Sequence, residues 1–183
     1  MHRPLLALLA VALVPAALSA QAAAGPAPAP TPRFGVAAIH GNWKVVTDYV
    51  TRAAEQMPEA DYGFKAAPTV RTFGEVVGHV AGSQNMFCAA ALGEKVPAED
   101  DIEKNVKGKA ALVAALKKSN EYCERAYAQT DAALTPTLTL FGQQMNRMSV
   151  LALNAVHNGE HYGQMVTYLR IKGMVPPSSQ PAQ

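Results

Sequence analysis

Only two cysteines occur in the chain, and they form no Cys-x-x-Cys pair. Redox motifs of that kind and zinc ribbons are therefore excluded. There is no basic cluster interleaved with aromatics, and the net charge is only +2, so nucleic acid is not an expected partner. Beyond residue 18 no stretch is apolar enough to cross a bilayer, so no stable membrane anchor is expected. No segment keeps a convincing strand alternation, and no internal repeat is visible. These absences leave one all-α domain as the simplest reading.

The first residues, MHRPLLALLAVALVPAALSAQAAAG, combine one arginine, an apolar run from Leu5 to Leu18 and small residues after it. That pattern is a secretory signal peptide, expected over residues 1–22 with cleavage after Ala22. No cysteine lies near the cut, which argues against a lipoprotein anchor. Residues 23–33 are Pro/Ala-rich and read as an extended linker. The folded domain is expected over 34–177, with a flexible tail at 178–183. The localisation implied is periplasmic or secreted. An oxidising compartment permits a disulfide between Cys88 and Cys123, and two buried free thiols are the alternative.

Four segments carry helical period. The first spans about Val36 to Met57, with Ile39, Trp43, Val46 and Val50 on one stripe, and Pro58 ends it. The second starts at Thr72-Phe73-Gly74-Glu75, a capping box in which threonine and glutamate each satisfy a free backbone N–H. Gly93 closes it, and a polar loop follows. The third spans about Lys109 to Gln129. A connection with Pro136 and three threonines leads on, with room for a short extended piece. The fourth spans about Asn146 to Lys172, with Gly173 placed for a left-handed cap. Four amphipathic helices with one long crossover predict a four-helix bundle.

His157 and His161 are four residues apart on the fourth helix, so they lie about 40° apart around its axis and point inward together. Two imidazoles one turn apart can share a cation. Among five histidines chance supplies such a pair in about one chain in ten, so spacing alone is a weak signal. His79 on the second helix is the best candidate for a third ligand, and His40 is expected to be a surface or helix-start residue. Asn154 and Tyr168 could orient a ligand or serve as ordinary buried polar residues. His157-Asn158-Gly159-Glu160-His161 also spells H-x-x-E-H, the inverted zinc-protease pattern. No Asp or Glu follows His161 to complete it, and Glu160 falls toward the exposed side, so this match is read as accidental. Gly159 and Gly163 suggest a place where a neighbouring helix approaches closely.

Three stretches, VRTFGEVVGHVAGSQNMFC, KGKAALVAALKKS and HNGEHYGQMVTYLRIKGMVPPSS, resemble the DinB-like superfamily of metal-binding bundles, which is distinct from the translesion polymerase of similar name. The resemblance covers nearly all of 36–179. It implies a four-helix bundle, often a homodimer, with a divalent metal ion such as zinc, nickel, iron or manganese held by His79, His157 and His161. Three protein ligands leave a coordination position open, as catalytic sites do. The resemblance thus implies a metal-dependent enzyme acting on an unidentified small molecule, either a hydrolase or a thiol S-transferase. The alternative is a non-catalytic metal-binding bundle with a stress or detoxification role.

Overall fold

The computed structural model describes residues 33–181. The signal peptide expected at 1–22, and all of the expected linker except Arg33, lie outside the described residues. Four long helices form a bundle: α1 (Phe34–Gln56), α2 (Phe73–Leu92), α4 (Lys109–Tyr127) and α5 (Arg147–Ile171). A short helix, α3 (Asp101–Asn105), and a hairpin of β1 (Thr137–Leu140) and β2 (Gln143–Asn146) sit in the connections. α2 packs against α4 and α5, and α1 packs against the same two helices. Consecutive helices α1 and α2 therefore face each other diagonally, as do α4 and α5. No helix among the described residues is long and apolar enough to cross a membrane.

Local chemistry sets most helix ends. Thr72 accepts from Glu75 N at 3.1 Å while the Glu75 carboxylate accepts from Thr72 N at 2.7 Å, which is the expected capping box. α5 starts where Asn146 Oδ1 accepts from Ser149 N. It stops at Gly173 (φ 72°), where Gly173 N donates to Arg170 O and Met174 N to Leu169 O, a Schellman end. The N-terminus of α1 is different: Gly35 N and Val36 N donate to the Asp131 carboxylate, some 95 residues away. Those bonds hold the Asp131 carboxyl below its usual range.

The structure refines some expectations and corrects others. The polar loop after Gly93 contains α3, which a five-residue helix with no buried position does not announce by period. The extended piece before α5 is a paired hairpin, Thr137 opposite Asn146 and Leu140 opposite Gln143. Phe141 (φ 52°) and Gly142 (φ 73°) turn it, the two positive φ values that a tight hairpin requires. The expected tail is tied down at its start: Ser178 N donates to Tyr162 Oη, and Arg52 donates to Gln180 Oε1. Gly159 and Gly163 admit no neighbouring helix, because a Cβ at either would meet nothing within 4 Å.

The core has two apolar clusters. One gathers Val50, Met57, Phe73, Val77, Leu116, Met165 and Leu169. The other gathers Trp43, Phe87, Tyr127, Leu134, Leu151 and the Cys88–Cys123 disulfide, which joins α2 to α4 with Cα atoms 5.3 Å apart. Along each long helix a buried polar residue separates the two: Thr47, Gln84, Ser119 and Asn158. The histidines lie at this level of the bundle.

Candidate metal centre

His79 comes from the middle of α2, and His157 and His161 from successive turns of α5. α2 and α5 pack directly together, so the rings meet. His157 Nε2 lies 3.0 Å from His161 Nε2 and 3.2 Å from His79 Nε2. All three offer one ring nitrogen within 4.8 Å of the others, the spacing of a group that could hold one metal ion. With metal–nitrogen bonds of about 2.0–2.1 Å, neighbouring ligand nitrogens sit about 3.0–3.4 Å apart, and the observed separations fall in that range.

Hydrogen bonding among the rings alone does not satisfy this cluster. His161 Nδ1 donates to Gln164 Oε1 at 3.0 Å, which leaves its Nε2 as a lone pair aimed inward. His157 Nε2 carries at most one proton and faces two nitrogens. His157 Nδ1 and His79 Nδ1 are buried without a hydrogen-bond partner. Glu103 Oε2 comes within 3.3 Å of His79 Nδ1 but off the N–H direction, so that contact is electrostatic. A cation at the meeting point of the three Nε2 atoms would use the inward lone pairs. The donor set therefore fits a divalent ion that accepts imidazole.

Electrostatics keep two rings in the neutral, ligating form. Burial pushes His79 down to about 4, Arg71 and His161 push the same way, and Asp100 opposes them. Burial likewise pushes His157 down to about 4, with His161 and His79 adding to it and Glu99 opposing. The Phe87 ring stands edge-on to His157 with centroids 5.5 Å apart, so apolar surface covers that side.

The other sequence candidates go elsewhere. His40 Nε2 pairs with Glu124 Oε2 at 2.8 Å on the α1–α4 surface. Asn154 donates to Tyr127 Oη and toward the disulfide sulfurs. Tyr168 donates to Arg71 O. Glu160 is exposed. Two acidic residues that sequence reasoning passed over do reach the site: Glu103, anchored by Arg71 Nε at 2.9 Å, and Glu99, whose Oε1 is 3.8 Å from His79 Nε2 and 3.9 Å from His157 Nε2. The available signal was the pair of glycines flanking the histidine in Gly78-His79-Val80-Ala81-Gly82, which marks a close approach of other backbone.

Comparison with known proteins gives a consistent picture. A DinB-like protein from Bacillus cereus aligns with TM-score 0.65 and 22% identity, covering 76% of this chain and 93% of its own. YfiT from Bacillus subtilis, named a probable metal-dependent hydrolase with an unusual four-helix bundle topology, aligns with TM-score 0.61 and 16% identity over 76% of this chain and 89% of its own. A mycothiol-dependent maleylpyruvate isomerase aligns with TM-score 0.60 and 16% identity over 71% of this chain, which spans 60% of that enzyme. At these identities the likeness establishes the fold. No curated protein matches the chain by sequence. The family model of the DinB superfamily matches residues 42–165, a span that holds all three clustered histidines, and the chain belongs to that superfamily.

Proposed function

We propose that the chain is an exported metal-dependent enzyme, a hydrolase or thiol S-transferase, with one divalent ion held by His79, His157 and His161. The observation that carries this reading is the convergence of three Nε2 atoms whose hydrogen bonds do not close on one another. Such an ion, when bound, supplies a Lewis acid and lowers the pKa of a water or thiol beside it. The chain's own residues supply the rest. Gln164 holds the His161 tautomer, Phe87 packs on the His157 ring, and Glu103, itself held by Arg71, faces the outer nitrogen of His79. Outer contacts of this kind orient imidazole ligands. The names of YfiT and of the mycothiol-dependent isomerase support water and thiol, respectively, as the activated group. Export is supported by the apolar run at Leu5–Leu18 and by the Cys88–Cys123 bridge.

The test is elemental analysis of the protein after expression with zinc, nickel, iron and manganese each supplied. Assays with activated esters and with electrophiles plus a small thiol then follow on the loaded form. One ion per chain and metal-dependent turnover are expected. An ion bound without turnover in either assay would favour the non-catalytic bundle, and no ion from any supply would end the metal reading. N-terminal sequencing of exported protein should find a start near Ala23.

A further inference from the structure

The connection between α2 and α4 does more than join two helices. It lies on α2 directly beside His79, and two glycines make that possible. A Cβ at Gly82 would stand 2.1 Å from the Glu99 carbonyl oxygen, and one at Gly78 would stand 2.9 Å from Glu103 Cα. Any larger residue at Gly82 would push the Glu99 backbone away from the helix. Seated there, Glu99 turns its carboxylate toward the histidines, with Oε1 3.8 Å from His79 Nε2 and 3.9 Å from His157 Nε2. The hydroxyl of Ser83, itself fully buried, donates to that same Oε1 at 2.9 Å.

We propose that Glu99 is a fourth protein ligand of the ion held by His79, His157 and His161, delivered by backbone that Gly78 and Gly82 allow to rest on α2. The proposal rests on the metal-centre reading above. In a shell with bonds of about 2.0–2.2 Å, ligand atoms stand about 3.0 Å apart when adjacent and about 4.2 Å apart when opposite. Oε1 sits within those limits from both nitrogens. Ligating carboxylates are themselves hydrogen-bonded, and Ser83 fills that role. A carboxylate beside three imidazoles suits ions that accept more than four ligands, which keep positions for a substrate, whereas a tetrahedral ion would be closed.

The experiment uses cobalt(II) as the probe, bound to the full mature protein, with affinity and the visible absorption spectrum as readouts. Glu99→Ala should weaken cobalt binding at least about tenfold and shift the visible bands. Millimolar acetate should move the spectrum back toward wild type, because it replaces the missing carboxylate. Gly82→Ala keeps the carboxylate but displaces its backbone, and should reproduce the loss. His40→Ala serves as the neutral control. Wild-type affinity and an unchanged spectrum in Glu99→Ala would overturn the proposal while leaving the three-histidine centre standing. A wild-type protein that binds no cobalt would overturn both.

Discussion

Two buried polar clusters share α2 and α5, one around Gln84 and one around His157, and they behave differently. Around Gln84 every polar capacity of the side chain is used. Its Oε1 accepts from Trp43 Nε1 at 2.8 Å and from Asn158 Nδ2 at 3.1 Å, and its Nε2 donates to Ser119 Oγ and Asn120 Oδ1. Four helices meet in that layer, and Gln84 leaves nothing over for a ligand. Around His157 the ring nitrogens face each other, and two outer nitrogens are orphaned. Burying polar groups is tolerable only when they find partners. Gln84 finds all of its partners inside the protein, and among its neighbours only Asn158 Oδ1 goes without one. The histidine cluster leaves two outer ring nitrogens without partners inside the protein, and its inner nitrogens face one another. Burial alone therefore says little about role, and the balance of donors and acceptors says much.

The sharpest way to break this comparison is to remove one ring. His157→Ala or His161→Ala should empty the metal centre, costing more than the roughly 10–100-fold in affinity that outer contacts are worth. Helix content by circular dichroism should stay near wild type, and His40→Ala should keep its ion. Retention of full metal content by His161→Ala would dissolve the distinction between the clusters.

Next in size is pH. In the metal-free protein His79 and His157 are held at about 4, against about 6.5 for an unfolded chain. The folded form refuses protons that the unfolded form accepts, so stability is intact above about pH 6.5 and falls as pH drops toward 4. The ceiling is on the order of 3 kcal/mol per ring, less where solvent reaches His157. For the same reason protons compete less for His79 and His157 than for free imidazoles, so bound metal should persist to lower pH than those two rings would allow without burial. Urea midpoints and bound metal measured across pH 4–8 check both statements. A flat stability profile would show that the rings are not held neutral.

The disulfide closes a loop of 35 residues, so replacing Cys88 and Cys123 together by Ala should cost about 3–4 kcal/mol in denaturant unfolding. Gln84→Leu strands the Trp43 and Asn158 donors, and should cost about 2–4 kcal/mol while leaving the metal content unchanged. If it also emptied the centre, the two clusters would be one. At the small end, Gly159→Ala and Gly163→Ala each replace a helix-interior glycine that touches nothing. Each should raise stability by about 0.5–1 kcal/mol, read as a higher midpoint. Gly82→Ala, on the packed side of a helix, should do the reverse.

What could be read in advance depended on range. The helix spans, the capping box at Thr72–Glu75 and the Gly173 stop come from neighbours in sequence, and the structure matches them within a few residues. The cap of α1 was not legible, because Asp131 reaches Gly35 and Val36 from the far side of the chain. Glu99 and Glu103 were passed over for a related reason. They stand in a polar stretch with no period, and only the seat made by Gly78 and Gly82 brings them to the histidines. The Phe141–Gly142 turn escaped because phenylalanine at positive φ contradicts its own preference and is held by the strand pairing around it.

The sequence by itself determined four amphipathic helices, their local ends and the placement of His157 and His161 on one helical face, because helical period and capping act over three or four residues. Only the tertiary structure decided that α2 lies against α5, which sets His79 3.2 Å from His157, and that a carboxylate from the α2–α4 connection completes the surroundings. Packing of apolar stripes chooses helix neighbours through contacts far apart in the chain, and no local pattern of residues encodes that choice.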